Sequence, residues 1–372
     1  MAESLLQVDT VTAARARVAR AHPERFVLSE TDPAAVGRYL SGRGLLPAGS
    51  PVDVERAGAG NMNLTLRVHA QDEDASWILK QGLGWVEKYD HIAAPPERTV
   101  VEACFYETVR AHRRVAAAMP ALIDADHANS ILILEDLGSG RDGTGVYGGD
   151  RLRDDTLDAL VGYLRDLGDV TPADDAHDLF TSRFSNRAMR ALNHEHIFRF
   201  PLDPQNGLDL DAVTPGLAHA SASLRSDPQY ARRARELGDR YLAEGTSWSS
   251  CPTLVHGDYV PGSWLLVDDG VRVIDPEFCF FGAREFDAGV MLAHLALGLQ
   301  PEASARRVFH AVTGDPAVVL GFAGIEIMRR LIGVAQLPLP YGLEIKSRLL
   351  DLSRSLVLHP AGADPDRGLT WL

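Results

Sequence analysis

Apolar and polar positions recur with two different periods along this chain, and the change of period divides it. Between 52 and 80 the period is two: Leu64-Thr65-Leu66-Arg67-Val68 and Trp77-Ile78-Leu79-Lys80 flank the polar stretch Gln71–Ala75. Alternation of this kind predicts a half-buried hairpin. Residues 1–50, with Leu5, Leu6, Val8, Val11 and later Val18 gathering on one side, predict helices. Glu97–His112 predicts another, with Val100, Val101, Cys104, Phe105 and Val109 on its apolar side and Arg98, Glu102 and Glu107 on its polar side. Ile131-Leu132-Ile133-Leu134 predicts a short buried strand that ends at Glu135-Asp136-Leu137. Gly138–Asp150 is glycine-rich and lacks the G-K-[ST] ending of a phosphate cradle, so it reads as a linker between lobes.

From Asp154 onward the helical period dominates. Long apolar helices are expected around Phe286–Leu299, Ala317–Leu337 and Leu343–Leu358. One hairpin interrupts them: Trp264–Val267 and Val271–Ile274 on either side of Asp268-Asp269-Gly270. The expected organisation is α+β and bilobal, with a small β-rich N-terminal lobe at 1–137 and a larger, mainly helical C-terminal lobe at 138–372.

Composition narrows the partners. The chain has 372 residues, 45% hydrophobic and 24% charged, with a formal net charge of -14. An acidic surface disfavours nucleic acid and anionic membranes, because phosphate attraction needs a basic face. Cys104, Cys251 and Cys279 are too scattered for a disulfide framework or a cysteine-rich zinc site. The N-terminal stretch lacks the basic-then-apolar pattern of a signal peptide, and no apolar run approaches about 18 residues. A soluble, cytoplasmic protein is expected.

The hairpin at 264–274 is bordered by Asp258, Asp275 and Glu277, three carboxylates in apolar surroundings. Charged groups rarely sit in such a setting unless paired or bound to metal. Their order along the chain fits the parts of a phosphoryl-transfer site. Gly58-Ala59-Gly60-Asn61-Met62-Asn63 occupies a turn before a strand, Lys80 ends the next strand, and Glu102 lies mid-helix. His256-Gly257-Asp258 follows, then Ser263, then Asp275 and Glu277. A nucleoside triphosphate brings several negative charges together, so Lys80 would contact phosphates while Glu102 holds the lysine. Asp258 would accept or orient the proton of a substrate hydroxyl. Asp275 and Glu277, at i and i+2 on a strand end, would present hard oxygen atoms to Mg²⁺, with Ser263 as a weaker third donor. Each part alone also has a plain reading as a turn, an edge lysine, an exposed helix glutamate or a capping aspartate. The joint order favours the chemistry. No H-E-x-x-H spacing occurs, and His256 is expected to brace its loop.

The chain resembles the aminoglycoside phosphotransferase-fold kinases, and within them the methylthioribose kinase family. The resemblance rests on 57-AGAGNMNLTLRV-68, 78-ILKQ-81, 135-EDL-137, 256-HGDYVPGS-263, 273-VIDPEFCFFG-282 and 327-IMRRLIGVAQ-336. It implies a protein-kinase-like fold and ATP- and Mg²⁺-dependent phosphorylation of the 1-hydroxyl of 5-methylthioribose. It implies nucleotide contacts at Gly58, Gly60, Asn61, Asn63, Lys80, Glu102, Glu135 and Leu137. Metal contacts are implied at Asp275, Glu277 and Ser263, catalysis at Asp258, and sugar contacts at Asp258, Arg329 and Arg330. Asp287 is expected to brace the catalytic loop, and a homodimer is implied by the same resemblance. Adjacent arginines cannot both lie on the solvated face of an apolar helix, so at least one should point into a polar pocket or bridge across the lobe. Tyr259-Val260-Pro261 departs from the family's Leu-His-Thr beside the acceptor. That departure leaves open the same fold acting on an antibiotic or other natural product, and Ser263 and Asn63, which stand where protein kinases have Asn and Gly, leave open a nucleotide-sensing pseudokinase.

Overall fold

The alternating segments pair into one antiparallel sheet. The computed structural model describes residues 14–16, 18–58, 62–172, 184–244 and 252–360. Contacts divide the chain into two units: residues 1–111 with 119–138, and residues 112–118 with 139–372.

In the first unit, helix α1 (Pro33–Gly42) is followed by strands β1 (Val52–Arg56), β2 (Leu64–Ala70) and β3 (Ser76–Gln81). A short ribbon comes next, β4 (Trp85–Val86) with β5 (Tyr89–Ala93), then helix α2 (Arg98–Val109). Strands β6 (Leu122–Asp126) and β7 (Ile131–Glu135) complete a five-stranded sheet of order β1-β2-β3-β7-β6. Because side chains alternate across a strand, Leu64, Leu66, Val68, Trp77, Leu79, Ile131 and Ile133 share one apolar face. Val36 and Leu40 of α1 pack against that face. Lys80 therefore projects from the opposite one, in register with Thr65 and Leu132. Of the expected N-terminal helix, Val18 lies in helical backbone, while Leu5, Leu6, Val8 and Val11 fall outside the described residues.

In the second unit, α3 (Arg113–Ala117) is joined to the later hairpin where the Val273 amide donates to the Ala118 carbonyl at 2.7 Å. Strand β8 (Arg141–Asp142) pairs with that hairpin. Helices α4 (Asp154–Leu167), α5 (Arg187–His194), α6 (Leu210–Val213), α7 (Leu217–Arg225) and α8 (Pro228–Leu242) precede β9 (Thr253–Val255). The hairpin is β10 (Trp264–Val267) and β11 (Gly270–Val273), and β12 (Phe280–Gly282) pairs back onto β9. Helices α9 (Glu285–Leu297), α10 (Glu302–Ala311), α11 (Pro316–Ile332) and α12 (Leu343–Leu358) follow.

Every residue of α9 is buried, as expected for a helix apolar all round. It crosses α11 closely because Gly289 has no side chain: a Cβ there would lie 2.6 Å from that of Phe322. The glycine-rich segment read as a linker is instead packed into this unit. Arg141–Asp142 is a strand, Gly143–Gly148 coils into a 3₁₀ turn, and Val146 and Tyr147 are buried. Three of its glycines serve close approach: a Cβ on Gly140 or Gly145 would strike the Leu265 or Asp150 side chain, and one on Gly143 would meet the Pro261 carbonyl at 3.0 Å. Among the described residues no helix is long and apolar enough to cross a membrane.

Candidate active site

In the first unit, Lys80 on β3 meets Glu102 on α2. The Lys80 ammonium lies 2.6 Å from the Glu102 carboxylate, and both side chains are buried. Burying an ion away from opposite charge is costly, and this pairing offsets part of that cost for both residues. The expected pairing of Lys80 with Glu102 is present, but the polar side read for this helix is corrected at Glu102 and Arg98, which are both buried. The correction has a local cause. Arg98 donates to the carbonyls of Met62, Leu83, Trp85 and Pro95 and to the Asn63 side-chain oxygen, at 2.7 to 3.2 Å. Irregular backbone left by the loop and the short ribbon supplies those acceptors, and a guanidinium has enough donors to satisfy them. Asn63 is accordingly buried with its amide oxygen on Arg98.

Gly58 takes a left-handed φ of 73°, as a turn ahead of β2 requires. Gly60 and Asn61 lie outside the described residues. Glu135 caps the Ala121 amide with its carboxylate at 2.9 Å, and Leu137 is half-buried just beyond β7.

In the second unit, β9 delivers the loop His256-Gly257-Asp258. Gly257 has φ 84°, and a Cβ there would fall 2.2 Å from the Phe278 carbonyl, so only glycine fits. Asp287, at the start of α9, braces the loop as expected: its two oxygens accept the His256 and Gly257 amides at 2.6 and 3.0 Å. Burial pushes the Asp287 carboxyl up to about 7 against those two bonds. His256 is also a brace. Its Nε2 lies 3.0 Å from the Ile274 carbonyl and its Nδ1 faces the Asp258 amide at 3.4 Å, which fits the neutral Nε2-protonated ring. The Ser263 hydroxyl donates to the Asp258 carbonyl at 3.0 Å. Tyr259 turns into the core, with its hydroxyl on the Leu160 carbonyl at 2.9 Å and its ring stacked on Tyr163.

The Asp258 carboxylate keeps 31% of its side-chain surface exposed. Arg329 and Arg330 of α11 each bring a terminal nitrogen to 3.6 Å from its Oδ1. Desolvation raises the Asp258 pKa, and Arg330 and Arg329 oppose that rise. Both arginines are also tied to Glu326 one turn earlier, by Nε to carboxylate contacts of 2.5 Å (Arg329) and 2.7 Å (Arg330). The pair is thus bridged to Glu326 on its own helix and to Asp258 from another element, so both arginines face charge and neither lies on a solvated face. Glu326 in turn faces the His294 Nε2 at 3.0 Å, and the His294 Nδ1 meets the Tyr147 hydroxyl at 2.5 Å. Burial lowers the His294 pKa to about 4, so the ring is neutral at pH 7.

Asp275 and Glu277 approach one another, but not as strand neighbours. Strand β11 ends at Val273 and Asp275 adopts φ 68°, so the i, i+2 argument does not apply. The turn still leaves a carboxylate oxygen of each residue within 4.8 Å of the other. Asn186, itself left-handed at φ 38°, donates to the Glu277 and Cys279 carbonyls at 3.0 Å and holds this segment.

Glu326, His294 and Tyr147 escaped the sequence reading. A signal for the first was present: Glu326-x-x-Arg329-Arg330 puts one acid at i and two bases at i+3 and i+4 of an otherwise apolar helix.

The profile of the phosphotransferase enzyme family matches residues 53–322. The chain belongs to this family. It is an enzyme that transfers phosphoryl groups, and the arrangement around Asp258 is one such an enzyme can use. Among relatives of this phosphotransferase, a methylthioribose kinase of Geobacillus sp. (strain WCH70) is 25% identical over 371 residues, covering 85% of this chain and 88% of the relative. A methylthioribose kinase of Geobacillus thermodenitrificans (strain NG80-2) is 25% identical over 372 residues, covering 86% and 90%. One of Bacillus pumilus (strain SAFR-032) is 23% identical over 334 residues, covering 78% and 81%.

Proposed function

We propose that this phosphotransferase is a small-molecule O-kinase that uses ATP and Mg²⁺ to phosphorylate the 1-hydroxyl of 5-methylthioribose or a related pentose, in the cytoplasm. The observation that carries the reading is Asp258 on a braced loop, partly open to solvent, with two guanidiniums 3.6 Å away. Asp258 accepts the proton of the acceptor hydroxyl, or orients it for in-line attack. Lys80, kept in place by Glu102, contacts the phosphates. Gly58, Gly60, Asn61 and Asn63 belong to the loop over them, and Glu135 to Leu137 contacts the base.

Asp275 and Glu277 fit Mg²⁺ in kind and spacing: hard oxygen donors within 4.8 Å of one another. Ser263 is a third donor through its oxygen lone pairs, its O–H being hydrogen-bonded to the Asp258 backbone carbonyl. Bound there, the ion would neutralise charge on the transferring phosphoryl group.

The arginines bear on the acceptor. A polycationic aminoglycoside brought to Asp258 would meet two positive charges at short range, whereas a neutral sugar would find hydrogen-bond donors. Coupled ADP release across methylthioribose, other pentoses, nucleosides and aminoglycosides tests the reading. Turnover is expected with methylthioribose or another neutral pentose. Turnover confined to aminoglycosides would replace the acceptor, and no ADP release with any compound would overturn the kinase.

A further inference from the structure

Two arginines beside one carboxylate would ordinarily close on it. Charge-assisted N–H···O contacts settle at about 2.7–2.9 Å, and guanidinium with carboxylate favours a two-pronged bond. Arg329 and Arg330 instead stop at 3.6 Å from Asp258, an attractive distance but too long for a hydrogen bond. What restrains them is visible. Glu326, one turn earlier on the same buried helix, takes the Nε of both arginines, one on each carboxylate oxygen. With Nε drawn back along the helix, the outer nitrogens reach toward Asp258 without arriving.

Glu326 is itself held. Its Oε1 receives the His294 Nε2–H at 3.0 Å, and the Tyr147 hydroxyl donates to the other nitrogen of that ring. All three residues are buried. Tyr147 comes from the 3₁₀ turn after β8, His294 from α9 and Glu326 from α11, so three separate elements converge to set one carboxylate.

We infer that Glu326, oriented by His294 and Tyr147, is a positioning residue that holds Arg329 and Arg330 back from Asp258 and so keeps the catalytic carboxylate free for the acceptor hydroxyl. The inference rests on Asp258 being the base of the proposed reaction. Without Glu326, both guanidiniums would close on Asp258 and occupy the lone pairs that the hydroxyl proton needs. Glu326 touches no reacting atom, and its effect passes through the arginines.

The test compares Glu326→Gln with the wild-type enzyme in two ways. In steady-state assays on the best acceptor of the panel, kcat should fall by about 100-fold, as expected for a misplaced catalytic group, with the KM for ATP within about twofold. In a crystal structure of the variant, a guanidinium nitrogen should lie within hydrogen-bond distance of Asp258. Unchanged kcat, a KM for ATP that rises with the loss of kcat, or arginines still standing off would each overturn the inference. The crystal readout needs no turnover, so it decides the matter even if no acceptor is found and the kinase reading fails. If Glu326→Gln does not fold, Tyr147→Phe removes only a hydroxyl. It should lower kcat several-fold and shift Glu326 and both arginines in the crystal, and wild-type positions with wild-type kcat would count against the relay.

Discussion

The two units handle buried charge in opposite ways. In the first, Lys80 and Glu102 form a buried cation–anion pair, drawn together at 2.6 Å. In the second, two cations share Glu326 and are held 3.6 Å from a second anion, Asp258. A contact pair fixes a charge in place, which suits the phosphate contact proposed for Lys80. A stand-off leaves the carboxylate's lone pairs available while nearby positive charge keeps it ionised, which suits the role proposed for Asp258. Each unit's chemistry lies in how far its opposite charges are allowed to approach.

The largest effect should come from breaking the contact pair. Glu102→Gln takes away the carboxylate that lies 2.6 Å from the buried Lys80 ammonium, at a cost of about 3–5 kcal/mol in urea denaturation. Replacing both, as Lys80→Met with Glu102→Leu, should restore most of that stability while leaving the enzyme inactive. A double variant no more stable than the single would show that the pairing is not what matters.

Arg98→Ala, in the same unit, strips partners from several buried carbonyls and should cost about 3 kcal/mol, read in the same way. A loss under about 1 kcal/mol would mean that water replaces the guanidinium.

The stand-off network should answer to pH. His294 has its pKa lowered to about 4, below the usual value of 6.5, so the unfolded chain binds its proton first. That contribution is complete above pH 6.5 and is lost as pH falls toward 4. Between pH 7 and 5 the wild type should lose about 2 kcal/mol that His294→Gln does not lose. Parallel losses in both proteins would place the sensitivity elsewhere.

The smallest change is expected from Ser263→Ala, which removes the hydroxyl donating to the Asp258 carbonyl. It should cost about 1 kcal/mol of stability and raise the Mg²⁺ concentration needed for half-maximal turnover. An unchanged Mg²⁺ requirement would confine Ser263 to bracing the loop.

How much of this was legible differs between the units. The sheet was readable because period-two alternation has one structural meaning, and Lys80 falls at its expected end of β3. Glu102 was placed in the right helix and given its partner Lys80 by the order of the motifs, while the helix pattern alone grouped it with residues that face water. Its burial depends on Lys80, which is distant in sequence. In the second unit the loop and the arginine pair stood out as motifs, as did the long apolar helices. His294 did not, because α9 is buried on every side and offers no polar stripe against which a functional residue could be noticed. The glycine-rich stretch at 138–150 misled for a related reason: glycines that permit close packing are indistinguishable, in sequence, from glycines that permit flexibility.

The central claim is that Asp258 serves the acceptor and not the nucleotide. The direct measurement is turnover together with ATP binding in Asp258→Asn, by ADP release and calorimetry on the same preparation. Turnover should fall by about 10²–10⁴-fold while the Kd for ATP stays within a few-fold of wild type. Near-normal turnover in the variant, or loss of ATP binding alongside loss of turnover, would contradict it.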